Sequence, residues 1–232
     1  MFLYSLLEVG AQATNIVKWI SLGAILVLLG VIAALSFQKD NAFNARKLAF
    51  AGICVAMSFV LSFIKVKPVQ YGGSITLASL VPILIFAYVY GPTDGFLVGL
   101  IHGLLNFVES PYILTPATFL LDYLLAFVGV GFMGFFGKMQ SKEKAVLPVI
   151  LGCVCAFAFR FISHFSSGII FFLQDAVWVS LPDWAMGNAA AYSFIYQCVY
   201  IPADFLIALS VLITLATTGV LSKLKQMMQR KK

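Results

Sequence analysis

The chain alternates between long apolar blocks and short polar breaks. WISLGAILVLLGVIAALSF (residues 19–37) is followed by the polar stretch Lys39–Lys47 and then by LAFAGICVAMSFVLSFI (48–64). Further blocks run from Ile75 to Tyr90, Gly95 to Val108, Ala117 to Gly137, Ala145 to Phe172 and Ala191 to Leu221. A helix needs about 20 apolar residues to cross the hydrocarbon core. The pattern therefore predicts an all-α polytopic membrane protein with seven spans, the third broken near Pro82 and ended by Gly91-Pro92. The blocks are continuous, without the alternation of a β-barrel. Lys65–Ser74 reads as a loop, with Pro68, Gly72 and Gly73 as breakers. Residues 173–190 form the longest connection, in which Trp178 and Trp184 serve either as interface anchors or as a lid. The first block has no small-residue cleavage pattern and reads as a retained helix.

Composition agrees. Only 10% of residues are charged and 62% are hydrophobic, against roughly 25% charged in a soluble domain. No soluble domain of useful size fits between the blocks. The net charge is +6, but its location carries more information than its size. Most basic residues fall in three clusters: Lys39/Arg46/Lys47, Lys138/Lys142/Lys144 and Lys223/Lys225/Arg230/Lys231/Lys232. Each stands at the end of an apolar block, which argues against nucleic-acid binding. The positive-inside rule places all three in the cytoplasm, with the N-terminus outside and the C-terminus inside. Cys54, Cys153, Cys155 and Cys198 lie within apolar blocks, match no metal spacing and read as packing residues.

Within the sixth block, Arg160, His164, Gly168 and Phe172 stand four residues apart and share one helix face. A cation and an imidazole are costly in lipid, so this face should point into the bundle or into a wet cavity. Asp122 in the fifth block and Tyr192, Gln197 and Asp204 in the seventh add matching polar groups. By the charge-derived topology, Asp122, His164–Phe172 and Tyr192–Gln197 all lie in the outer half of the membrane. They describe an outward-opening pocket of carboxylate, imidazole, phenol, amide and aromatic groups, suited to a flat hydrogen-bonding heterocycle or a cation. Arg160 is expected to pair with Asp204 or Asp122 as a structural ion pair; the alternative is an anion site for a ligand phosphate or carboxylate. Gly52 and Ala56 form a small-xxx-small pair, as do Ala45 and Ala49, for close approach of another helix within the bundle or from a partner subunit.

No Walker A motif is present, so the chain cannot itself use ATP, and there is no zinc-protease motif or nucleophile elbow. An intramembrane enzyme using Asp122 and His164 as base and acid would lack a nucleophile or metal set. A scaffolding subunit without ligand would not explain polar groups at one depth.

The blocks GGSITLASLVPILIFAYVYGP (72–92), YILTPATFLLDYLLAF (112–127), HFSSGIIFF (164–172) and AYSFIYQ (191–197) resemble, in combination and order, the thiamine-binding S components of energy-coupling factor (ECF) vitamin transporters. The resemblance implies a six-helix core at 45–221, preceded by an extra helix and cytoplasmic linker (1–44) and followed by a basic cytoplasmic tail (222–232). It implies capture of thiamine from outside, in a bacterial plasma membrane, with no cofactor and no enzymatic activity. It also implies assembly with a transmembrane coupling subunit and two ATPases, docked on the small-residue face at Gly52 and Ala56. Carried over by motif, the ligand contacts are Asp122, His164, Gly168, Phe172, Tyr192 and Gln197, with Tyr71 supplying a loop ring. Gln197 stands where the family usually has Asn, Phe172 and Gly73 stand where some members have Trp, and the loop before Tyr192 is longer. The alternative ligands are hydroxymethylpyrimidine, a pyridoxine-type ring or phosphorylated thiamine.

Overall fold

The computed structural model describes residues 45–68, 73–112, 116–139, 146–175 and 188–229. The first apolar block, Tyr71, the two loop tryptophans and residues 230–232 lie outside them. In chain order the elements are helix α1 (Ala45–Ser62), strands β1 (Lys65–Pro68) and β2 (Ser74–Thr76), and helices α2 (Val81–Tyr90) and α3 (Pro92–Glu109). Then come α4 (Pro116–Gly137), α5 (Val146–Asp175), α6 (Ala189–Thr217) and α7 (Val220–Gln229). Among the described residues, α1, α4, α5 and α6 are long and apolar enough to cross a membrane.

Helix α2 is the centre. From Val81 to Val89 every residue but Ile85 is buried. A helix that is apolar on all sides has to be surrounded, and α1, α3, α4, α6 and α7 pack around it. Its ten residues extend only about 15 Å, less than a bilayer core. The apolar block that begins at Ile75 is therefore not one broken helix. Ser74–Thr76 is a strand paired antiparallel with β1, Lys65 opposite Thr76 and Pro68 opposite Ser74, so the expected loop is a hairpin. Pro82 does not break a helix either. It lies in the first turn of α2, where its missing N–H removes no helical bond.

The last block also divides. Helix α6 ends at Thr217, and Gly219 takes φ +73°, a left-handed turn that favours glycine. Residues 220–229, read in part as a basic tail, form α7. Leu221 is fully buried. Lys225 donates to Gly137 O and lies over the Tyr88 ring at 5.5 Å, and Gln229 donates to Val89 O. Those carbonyls end α4 and α2, where helices leave acceptors unpaired and a cation is favoured by the helix dipole. Burial holds the Lys225 ammonium below the ordinary lysine pKa. At the same end of the bundle Lys47 is buried against Asp94 at 2.5 Å, so this member of a basic cluster faces α3. At the hairpin end Lys65 pairs with Glu109 at 2.8 Å.

Helices α3 and α4 meet backbone to backbone. Gly95, Gly99 and Gly103 form one face at spacing four, the small-residue geometry for close helix approach. A Cβ on Gly99 would lie 2.3 Å from Phe127 O, and one on Gly103 would lie 2.1 Å from Tyr123 O. Neither carbonyl can yield without moving α4. Gly103→Val should therefore destabilise the protein by about 3 kcal/mol or more, seen as a lowered melting midpoint in detergent. Gly52→Val, where a Cβ meets nothing within 4 Å, is the control and should stay within about 0.5 kcal/mol. Equal effects would refute the packing argument.

Candidate ligand-binding site

The hairpin end of the bundle holds a cavity of about 900 Å³, part of it open to solvent, lined by β2, α3, α4, α5 and α6. Asp122, His164, Gly168, Tyr192 and Gln197 all line it, as does Arg160. Phe172 lies in α5, its side chain outside the described residues, as is Tyr71. Gly52 and Ala56 are exposed on α1 and line no part of the cavity.

Helix α4 departs from α geometry where it meets the site. Leu120–Leu125 is a π-helical stretch, and the Ala126 N–H reaches back five residues to Leu121 O. Asp122 projects from it. Its Oδ1 lies 2.8 Å from His164 Nδ1 and its Oδ2 accepts from Ser167 Oγ at 2.5 Å. On the far side of the imidazole, Arg160 Nε donates to His164 Nε2 at 3.5 Å. With Nε2 facing the Arg160 donor, Nδ1 is the ring nitrogen that gives its proton to the carboxylate. The carboxylate keeps lone pairs for the cavity.

Arg160 Nη1 bonds Asp204 Oδ2 at 2.7 Å. Its guanidinium lies over Phe127 at 5.1 Å and Phe157 at 5.9 Å. Asp204 Oδ1 also accepts from the Thr76 hydroxyl at 2.9 Å and the Thr76 N–H at 3.3 Å. The Asp204 carboxylate thus joins α5, α6 and the hairpin. Because Arg160 is matched by Asp204, Asp122 has no lysine or arginine partner among the described residues, and only His164 and Ser167 meet its carboxylate.

Helix α6 begins on Asn188, whose side chain accepts from Ala190 N and Ala191 N, a capped start. Tyr192 and Tyr196 stack at 6.3 Å, and Tyr196 meets Tyr200 edge-on at 5.7 Å. The Tyr196 hydroxyl accepts from Gly73 N at 3.2 Å. Gln197 Nε2 donates to His164 O at 3.1 Å, and Tyr200 donates to Gln197 Oε1 at 2.7 Å. A Cβ on Gly168 would lie 2.3 Å from Ser193 Oγ, so this glycine allows α6 its close approach. Tyr196, Tyr200, Ser167 and Phe127 line the cavity without having been singled out as site residues. The first two share with Tyr192 and Asp204 a spacing of four, the same one-face register as Arg160, His164 and Gly168 on α5. His102, the second histidine, is fully buried edge-on against Phe127 at 5.0 Å. Among the described residues no group of His, Cys, Asp or Glu is arranged to hold a metal.

Residues 48–223 match the model of the thiamine transporter protein family (Thia_YuaJ). The chain is 28% identical over 156 residues to the thiamine transporter ThiT of Bacillus subtilis (strain 168), covering 64% of this chain and 77% of that protein. Its fold is similar to that of ThiT from Listeria monocytogenes, with a TM-score of 0.65 and 24% identity across 77% of this chain and 96% of the other. The apolar helices make this a multi-pass membrane protein, its role is in transport rather than catalysis, and the chain belongs to the thiamine transporter protein family.

Proposed function

We propose that the protein is the binding subunit of an ECF-type importer, capturing thiamine from outside the cell in the cavity between the hairpin, α4, α5 and α6. The observation that carries this reading is the unmatched Asp122 carboxylate beside a wall of tyrosines. Thiamine carries one positive charge on its thiazolium and an amino group on its pyrimidine. Asp122 accepts from the amino group, while Tyr192 and Tyr196 offer ring faces for the cation, with Phe172 carried over from the family motif as a further aromatic contact. Gly168 and His164 line the cavity, Gln197 fixes the α5–α6 crossing behind them, and Tyr71 is a further ligand contact carried over from the family motif. Arg160 and Asp204 are a structural pair.

The coupling subunit docks on α1. Its face of Ala45, Ala49, Gly52 and Ala56 is exposed together with Leu48, Ile53 and Met57, an apolar surface on which another helix can come close. Two ATPases on the cytoplasmic side supply the energy. The N-terminus lies outside and the basic C-terminus inside, with residues 1–44 preceding the transporting core at 45–221.

Titration calorimetry of the purified protein tests this reading, with thiamine, thiamine monophosphate, hydroxymethylpyrimidine and pyridoxine. Thiamine should bind tightest. The monophosphate should bind about 10- to 100-fold more weakly, because its phosphate brings negative charge into a poorly screened cavity that already holds the Asp122 carboxylate. Equal or tighter binding of the monophosphate would make Arg160 an anion site and overturn the assignment. Tight binding of pyridoxine in place of thiamine would overturn the substrate.

A further inference from the structure

The π-helical stretch of α4 has a consequence for the binding face. Thr118, Asp122 and Phe127 all line the cavity. The first two are four residues apart, as on an ordinary α-helix. Asp122 and Phe127 are five apart, which in an α-helix would turn them about 140° from one another. Bonding from residue i to i+5 adds the extra residue per turn that brings both onto one face. The ring that does this closes through Leu121 O, which accepts the Ala126 N–H.

Leu121 O has a second donor. Ser163 on α5, 2% exposed, gives it a hydrogen bond from Oγ at 2.6 Å. Ser163 is absent from the cavity wall. On α5 it precedes His164 and stands one turn before Ser167, the two residues that bind the Asp122 carboxylate. On its α3 side, the same stretch is pressed by Gly103 against Tyr123 O. The stretch is therefore held between α3 and α5, with a dedicated hydroxyl on the carbonyl that sets its pitch.

We propose that Ser163 is a positioning residue for thiamine recognition: by bonding Leu121 O it holds the π-turn that aims Asp122 into the cavity. This rests on the reading of Asp122 as the carboxylate that meets the ligand. The hydroxyl never touches thiamine and acts only through the pitch of α4.

The test is a double-mutant cycle read by thiamine titration of the full chain. Ser163→Ala removes only the hydroxyl and should weaken thiamine binding about tenfold, while Ser163→Thr, which keeps the donor, should remain within a few-fold of the parent. The Ser163→Ala/Asp122→Ala double variant should bind no worse than Asp122→Ala, because Ser163 has nothing left to aim. The 4′-oxo analogue of thiamine, which lacks the amino donor, should lose less than thiamine does on Ser163→Ala, a selectivity shift that general loosening of the bundle would not produce. Unchanged affinity in Ser163→Ala beside a large loss in Asp122→Ala would overturn the role of Ser163 and leave the site intact. Additive losses would make Ser163 a general packing residue and overturn it equally. Full affinity in Asp122→Ala would instead overturn the reading of the site itself.

Discussion

Asp122→Ala should lower thiamine affinity by about 100-fold or more. Hydrogen bonds to a charged group are each worth about 1.5–3 kcal/mol, and 1.4 kcal/mol is a factor of ten. Among the described residues the carboxylate also has no lysine or arginine partner, since Arg160 is matched by Asp204. Its removal takes away both a ligand acceptor and the counter-charge of the thiazolium. The fold should lose little, because the Asp122 side chain is 29% exposed and water can reach the groups it leaves. A second measurement separates charge from shape. Asp122→Asn keeps the volume and drops the charge, so the preference for thiamine over its monophosphate should narrow in that variant. Calorimetry on the two ligands reads both effects. An Asp122→Ala protein that still binds thiamine at parental affinity would show that the ligand lies elsewhere.

The reason Asp122 can be found without a structure is the cost of burying it. Ionisable groups in apolar blocks stand out because a membrane penalises them, and the same reasoning exposes Arg160, His164 and Asp204. Their partners are harder to read. A tyrosine in a membrane helix looks like any aromatic residue, so Tyr200 draws attention only through its spacing from Tyr192, Tyr196 and Asp204. Ser163 and Ser167 are common residue types for a membrane helix. Their roles depend on which carbonyl and carboxylate face them from α4, which is tertiary information. The π-turn is hidden for the same reason, since nothing in LLDYLL distinguishes it from α-helix. Small-residue spacing tells that a helix can approach closely but not which helix does. Gly95, Gly99 and Gly103 have the spacing of Gly52 and Ala56, yet the first set packs on α4 and the second is open. The hairpin is missed because short strands owe their form to their partner more than to their residues.

The Arg160–Asp204 pair should prove the most sensitive point of the fold. Arg160 is 9% exposed and packs against Phe127 and Phe157. Asp204→Asn keeps an oxygen for Thr76 but removes the counter-charge, leaving a guanidinium in an apolar bundle. Breaking a buried pair from one side costs about 3–5 kcal/mol, which corresponds to a fall of roughly 10 °C in melting midpoint for a chain of this size. Arg160→Met alone should cost a similar amount, since Asp204 then keeps its charge without a cation. The Arg160→Met/Asp204→Asn double variant should recover most of the loss, because a pair replaced from both sides leaves no unpaired charge. Methionine preserves contact with the two phenylalanines, and the new amide still accepts from Thr76. Ligand binding gives the second readout. The double variant removes one charge of each sign and leaves Asp122 unmatched as before, so thiamine should still bind within about tenfold of the parent. Loss of binding in a double variant that melts normally would mean that Arg160 touches the ligand, and the pair would then belong to the site rather than to its support.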